Sequence, residues 1–384
     1  MIMNIEITLA TLGLLGAMYS YFIYPAILLL MPKNTRIQFN QDDEINPKTF
    51  LTIILAAYNE EAIIKEKILN TLELDYPANQ REIFVVSDGS TDNTNNIVKE
   101  FEIKGIRLIK VQDRKGKENA QLAAIKQAKG DILVFTDAAT HIPKTALKRI
   151  AATFDNETIG AVSSEDRIIT ESGKVSGESA YIKYEMWLRN IETRANTLVG
   201  LSGSFFACRK NICENWDIDV PSDFNTALNC VEKGLTAVSH PGVLGCYSDL
   251  KDDAMEYQRK LRTTIRGITA IVHKPSVLNP FRYGLFSFQV FSHKIMRWLV
   301  PWFQLLLFIS TALVWNENIY TMTLFLGQLG FYGLALIGWT ICASRKNPFI
   351  KIPFYFMQVN TAIAQAGLQF LLGKRITMWE PSKR

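Results

Sequence analysis

The sequence is poor in the residues that staple small secreted folds or hold structural zinc. Its five cysteines, Cys208, Cys213, Cys230, Cys246 and Cys342, are odd in number and show no C-x-x-C spacing. That pattern argues against a disulfide framework or a zinc site and points to a reducing, cytosolic setting. Only four histidines occur, and His141 alone lies near a candidate site, as a residue at a helix entry or as an extra metal or phosphate contact. No G-x-x-x-x-G-K-[ST] makes a P-loop, and no G-x-G-x-x-G follows the first strand as a Rossmann oxidoreductase would require. Internal repeats and low-complexity tracts are missing. So is a basic face with interleaved aromatics, so nothing supports nucleic acid as a partner. The net charge of +5 is modest, and basic residues at the ends of apolar runs explain much of it.

What the chain has is apolar sequence in unevenly placed runs. Ile5 to Met31 carries no charge after Glu6 and is bounded by Pro32, Lys33 and Arg36, long enough for the roughly 20 residues a bilayer crossing needs. With no basic leader and no small-residue cleavage site, it is expected to be a retained anchor (1–32), its amino end outside because the positive residues follow it. Residues 49–274 read as a soluble domain. Residues 275–297 mix aromatic and aliphatic side chains with Arg282, Lys294 and Arg297, the pattern of an interfacial helix. Residues 298–372 hold further membrane segments: Trp298 to Trp315 and Ile319 to Cys342 form a hairpin that dips outward, and Ile352 to Leu372 either crosses or re-enters. Gln358, Gln365 and Gln369 fall on one face of that last run, as the wall of a polar passage or as hydrogen-bonding groups between helices. Residues 373–384 are a basic tail.

The soluble part alternates short apolar strands with amphipathic helices. Strands are expected at Phe50–Ala56, Glu82–Val86, Ile106–Val111, Ile132–Phe135 and Gly160–Ser163, with another after Gly203. Strand and helix in regular alternation imply a largely parallel sheet with right-handed crossovers, whose ligands bind beyond the carboxyl ends of the strands. Tyr58, Asp88, Lys117 and Asp137 all stand at that edge. The loop Ala57-Tyr58-Asn59-Glu60-Glu61 places helix amides where an anion or a nucleotide ring edge could bind. Asp88 accepts hydrogen bonds from a base or ribose, or fixes its own turn. Lys117 opens a helix as a cation for a pyrophosphate or as a solvated loop residue. Asp137 suits a hard cation such as Mg²⁺, or caps the helix near Pro143. Gly203 and Ser204 allow close approach of a ligand, or make a plain turn. Behind the N-cap expected at Ser222, Asp223 is a candidate general base toward an acceptor hydroxyl, or an ordinary first-turn carboxylate. The basic segment Gln258-Arg259-Lys260-Leu261-Arg262 clamps phosphates or contacts acidic lipid.

In this order the motifs resemble those of the membrane-bound family 2 glycosyltransferases, the cellulose synthase and hyaluronan synthase-like group. The resemblance rests on Ala57 to Glu61, Ser87-Asp88-Gly89-Ser90, Gly116-Lys117, the Asp137 strand end, Gly203-Ser204, Asp223, and Gln258 to Arg262. It implies an α/β fold of the GT-A type, a Rossmann-like and mostly parallel sheet, flanked by transmembrane helices. It further implies that Tyr58, Glu60 and Asp88 hold the base and ribose of a nucleotide sugar, a UDP-sugar in the first instance, with Lys117 beside them. Asp137 takes Mg²⁺ or Mn²⁺ on the diphosphate. Gly203 and Ser204 border a lipid-linked or glycan acceptor, Asp223 is the base, and Gln258, Arg259 and Arg262 cover the pyrophosphate and sugar. The expected protein is a multi-pass membrane enzyme with its catalytic domain on the cytosolic side, with partner subunits allowed for. Three departures stand out: Asp137-Ala138-Ala139 replaces Asp-x-Asp, Pro221-Ser222-Asp223 replaces Thr-Glu-Asp, and Gln258 and Arg262 are one position too far apart, with Thr263 in the tryptophan place. The last favours single-sugar addition over polymerisation; the first keeps open a non-catalytic, nucleotide-binding partner subunit.

Overall fold

The computed structural model describes residues 2–35, 37, 39, 49–169, 180–248 and 253–376. Arg36 and residues 377–384 of the basic tail lie outside the described residues. The chain divides into two compact units, one of residues 31–251 with 269–287, the other of the N-terminal 30 residues with 252–268 and 288–375.

The first unit is a seven-stranded sheet. Its strands are β1 (Leu51–Ala57), β2 (Arg81–Asp88), β3 (Ile106–Val111), β4 (Ile132–Asp137), β5 (Ile159–Ile169), β6 (Phe205–Arg209) and β7 (Thr236–Ser248), in the order β3-β2-β1-β4-β6-β5-β7. From β3 to β4 all pairs are parallel. β6 is antiparallel to both its neighbours, and β5 and β7 are parallel again. The central strands are apolar on both faces because helices cover both. Ile53, Leu55, Val85, Val134 and Phe205 fill one side, and Ile54, Phe84, Phe135 and Phe206 the other. Alternate residues of one strand therefore belong to different cores, the pattern expected of a doubly covered parallel sheet.

Two features depart from the sequence expectation. β5 continues six residues past Ser163 to Ile169, through Glu165, Asp166 and Arg167, and β7 has no counterpart among the expected strands. Both carry charges, glycine or proline that break the alternating signal. They are strands because they pair with each other along nearly their whole lengths, with irregularities between Ile159 and Ala161 and between Ser163 and Glu165. Two helices also begin later than expected, the one after the Ala57–Glu61 loop at Ile64 and the one near Pro143 at Ala146. The residues skipped are turn formers such as Asn59, whose φ is +51°, a left-handed conformation that asparagine tolerates better than most.

The other unit is helical. Among the described residues three helices are long and apolar enough to cross a membrane: Ile5–Leu30, Leu285–Leu313 and Ile319–Thr340. Gly13 and Gly16 let the first lie close along the second. A Cβ on Gly13 would sit 2.8 Å from the Leu307 backbone nitrogen, and one on Gly16 would overlap the Phe303 ring. Such small-residue contacts are how helices approach closely in lipid. The helix beginning at Leu285 runs without interruption past Arg297, through one π-helical turn at Phe291–Ile295. No element boundary stands at 297, and the break lies instead at Gly284, where φ is +54°. The last helix, Pro348–Leu371, has 24 residues. Of its glutamines, Gln358 is buried and Gln365 accepts from the Tyr257 hydroxyl at 2.6 Å, so these two face protein groups.

Candidate functional site

β1, β2 and β4 end side by side, with the loop before the helix Lys117–Ile125 beyond β3, and this edge gathers most of the expected residues. Beyond β1, the amides expected to await an anion are already taken. Asn59 N donates to Ser90 Oγ (3.2 Å), Glu60 N to Thr94 Oγ1 (2.9 Å) and Glu61 N to Asp92 Oδ2 (3.0 Å). Asn59 Oδ1 and the Glu61 carboxylate return the contact to the amides of Thr91 and Asn93. The loops after β1 and β2 thus brace each other. Tyr58 keeps an aromatic face engaged, with the Arg114 guanidinium 4.0 Å from its ring centre, within range of a cation–π attraction.

Asp88 is 4% exposed. Its Oδ1 accepts from Lys115 N at 3.0 Å and its Oδ2 from Gly116 N at 2.8 Å. The carboxylate therefore fixes the loop that precedes the helix Lys117–Ile125, and Gly116, with φ of +99°, is the residue that lets the chain make this turn. The consequence is the position of Lys117. Its side chain, only 10% exposed, forms an ion pair with Asp137 Oδ1 and donates to the Gly203 carbonyl at 2.8 Å.

Asp137 closes β4. Its amide donates to Ser204 O at 2.9 Å, and its carbonyl accepts from Thr140 N at 3.2 Å, so Ala138 and Ala139 sit in a tight turn. The next helix begins only at Ala146, so Asp137 is not its cap. Beneath this strand end lies Lys67, a residue without a role in the sequence reading. It is 3% exposed and donates to Thr136 Oγ1 (2.9 Å) and to the Thr140 carbonyl. Burial pulls its ammonium down to about 7, although the nearby Asp137 charge raises it in part. The sequence signal was too slight to find it, a lysine in an ordinary amphipathic helix.

This depressed value has a consequence for stability. Between about 7 and the ordinary lysine value of 10.5, the unfolded chain holds a proton that the native chain does not. Native stability therefore rises with pH across that window, by at most about 1.4 kcal/mol per pH unit. Lys67→Met removes this slope. Denaturation of both proteins at pH 7.5 and pH 9 checks it, and parallel pH dependences would refute a buried, neutral Lys67.

Gly203 is held from both sides. Ser202 Oγ donates to Asp166 Oδ1 at 2.6 Å and Ser204 Oγ to the same oxygen at 3.2 Å, while Arg189 lies 3.6 Å from Asp166 Oδ2. Asp166 belongs to the part of β5 that the sequence did not reveal. On its other side Gly203 faces Asp223: a Cβ here would come 3.2 Å from Asp223 Oδ2. Asp223 stands in the first turn of the helix Ser222–Glu232, where the cap is Pro221 and not Ser222. Ser222 is instead the first helical residue, its amide directed at Glu118 Oε1 at 3.4 Å. An ion pair and a hydrogen bond thus join Asp137, Lys117 and Gly203, and the Asp223 carboxylate stands opposite that glycine.

Gln258, Arg259 and Arg262 belong to the helical unit, on the helix Asp253–His273. Arg259 is tied to Glu256 by two hydrogen bonds of 2.8 Å.

Comparison with known proteins gives a consistent picture. The profile of the family described as Glycosyl transferase family 2 matches residues 52–216. Poly-beta-1,6-N-acetyl-D-glucosamine synthases of Staphylococcus aureus are 30% identical over 211 residues, 52% of this chain and 50% of theirs. The Staphylococcus epidermidis protein of the same name is 29% identical over 218 residues, 54% of this chain and 50% of its own. The chain thus spans about half the length of the curated relatives it matches. Among solved structures, the mannosyltransferase PcManGT from Pyrobaculum calidifontis, in complex with GDP-Man and Mn²⁺, superposes with a TM-score of 0.69 at 21% identity, covering 98% of this chain and 100% of that one. That likeness shows the fold, a GT-A sheet with helices.

Proposed function

We propose, from the match of residues 52–216 to the family 2 glycosyltransferase model, that the chain moves a sugar from a nucleotide-diphosphate sugar to a hydroxyl on a lipid-linked or polysaccharide acceptor, with inversion at the anomeric carbon. The observation that carries this reading is the bridge Lys117 makes between Asp137 and the Gly203 carbonyl, with the Asp223 carboxylate opposite that glycine. It provides one carboxylate and one ammonium for a diphosphate, and a second carboxylate across a glycine for the acceptor.

Asp223 takes the proton from the attacking hydroxyl, which needs only hydrogen-bond reach to the acceptor oxygen. That oxygen attacks the anomeric carbon from the face opposite the diphosphate, so one displacement inverts the centre. Lys117 stabilises charge on the departing phosphate oxygens. Tyr58 and Arg114 offer flat surfaces on which a nucleobase stacks, and the Asp88 carboxylate keeps its loop in place. Gln258, Arg259 and Arg262 are proposed for the pyrophosphate and sugar on the order of the motifs alone. Gly203 and Ser204 border the acceptor.

The protein donor set for a divalent ion is small. Among the described residues no group of three or more His, Cys, Asp or Glu side chains could hold one, so Asp137 provides a single oxygen ligand. Mg²⁺ and Mn²⁺ are compatible with that, since such hard cations keep several waters and are commonly held by one or two carboxylates with substrate phosphates. Bound there, the ion would supply charge neutralisation on the leaving diphosphate.

The apolar helices and the names of the staphylococcal relatives support an activity at the cell membrane, in exopolysaccharide or envelope glycan synthesis, and the reading assigns the catalytic domain to the cytosolic side. A non-catalytic subunit, the alternative that Ala139 suggests, has no need of the Asp223 carboxylate across Gly203. The test is release of nucleoside diphosphate and transfer by the purified, detergent-solubilised protein. UDP-N-acetylglucosamine, UDP-glucose, UDP-galactose and GDP-mannose are compared with Mg²⁺, Mn²⁺ or chelator. Metal-dependent turnover of one donor is expected, the N-acetylglucosamine donor first in view of the relatives' names. Nucleotide binding without turnover of any donor, even with glycan and lipid acceptors added, would point to the non-catalytic reading.

A further inference from the structure

The Asp137 carboxylate, assigned to a metal, is engaged by a cation of the chain itself. Lys117 reaches it across the strand end and is anchored by the Gly203 carbonyl at 2.8 Å. This is a built contact and not a chance surface pair, because the lysine side chain is only 10% exposed and the aspartate 28%. Its root is equally fixed: the amides of Lys115 and Gly116, just before it, are held by the buried Asp88. The position two residues beyond Asp137, where a second carboxylate would balance the lysine, is Ala139. One carboxylate and one ammonium therefore cancel, which leaves little to attract a free divalent ion.

A diphosphate changes that balance. It carries more negative charge than a carboxylate and draws an ammonium as a point charge. We propose that Lys117 is a resident counter-ion that neutralises Asp137 while no donor is bound and passes to the donor's phosphates when one arrives, so that a divalent ion joins the site only together with the diphosphate. This rests on the reading of the donor as a nucleoside diphosphate sugar. It adds an order of binding and gives two neighbouring residues opposite effects on metal-free nucleotide affinity. By linkage, the diphosphate and the ion must enhance each other's binding by the same factor.

The test is titration of the full-length protein with UDP and, separately, GDP in the presence of chelator, followed by paramagnetic resonance of Mn²⁺ with and without nucleotide. Lys117→Gln keeps a donor for the Gly203 carbonyl and removes the charge; metal-free nucleotide binding should weaken at least tenfold. Asp137→Asn releases the lysine; metal-free binding should tighten at least threefold, while the gain on adding Mn²⁺ is lost. Wild-type protein should bind Mn²⁺ at this site only after nucleotide is present. If Asp137→Asn weakens or leaves unchanged the metal-free affinity, or if wild-type protein binds Mn²⁺ equally well alone, the counter-ion role is overturned while the donor reading stands. If neither nucleotide binds wild-type protein with or without Mn²⁺, the donor reading itself is overturned and this inference with it.

Discussion

Asp223→Asn should lower sugar transfer at least a hundredfold and leave nucleoside diphosphate binding within about twofold of wild type. General-base catalysis contributes about 10²–10⁴ in rate, and an amide of nearly the same shape cannot take the proton. The fold should survive the change. Asp223 occupies the first turn of its helix, and the helix capping is made by Pro221 and its backbone rather than by this side chain. Loss of a favourable charge at a helix amino end costs at most about 2 kcal/mol. Measuring transfer and nucleotide titration on the same preparation separates the outcomes. If both fall together, Asp223 acts in folding or donor binding and is not the base.

Gly203→Ala should reduce transfer about tenfold without loss of donor affinity, and Gly203→Val should reduce it further. The added Cβ would meet Asp223 Oδ2 at 3.2 Å and its Cγ at 3.7 Å, so the carboxylate must move by a few tenths of an ångström. Since a displacement near 1 Å costs on the order of a hundredfold in such reactions, a smaller one should cost less. Gly203 is not among the glycines with positive φ, so alanine brings no backbone strain and the effect belongs to the contact. The pair makes a sharper statement than either change alone. In the Asp223→Asn background, Gly203→Ala should add little, because there is no base left to displace. Additive losses would mean that Gly203 acts elsewhere, through the acceptor or through the Lys117 contact at its carbonyl.

Much of this arrangement was legible in the sequence. The strands bearing Asp88 and Asp137 are short β-branched or aromatic runs ending in a polar group and a turn, and such local signals place a residue at a strand end wherever the strand lies in the sheet. Their convergence followed from the strand–helix alternation, since parallel strands share a carboxyl edge. The long arms of β5 and β7 were not legible, because each exists by pairing with the other. Asp166, which holds Ser202 and Ser204, went unnoticed for that reason. Lys67 was hidden in a different way: its helix reads as amphipathic, and only packing shows that this one lysine points inward.

The sequence by itself determined the fold class, the apolar helices, and that Tyr58, Asp88, Lys117 and Asp137 stand at one edge of the sheet. These depend on hydrophobic period, turn chemistry and motif order, all properties of neighbours along the chain. The tertiary structure alone decided what each group is paired with. Asp88, open in the sequence to a ribose or a turn, is committed to two backbone amides, and Lys117 bridges Asp137 and a carbonyl 86 residues away in the chain. Charge pairing weakens with distance, is screened beyond about 8–10 Å, and takes no account of sequence separation. Which ammonium meets which carboxylate is therefore settled only when the crossovers have brought the strand ends together.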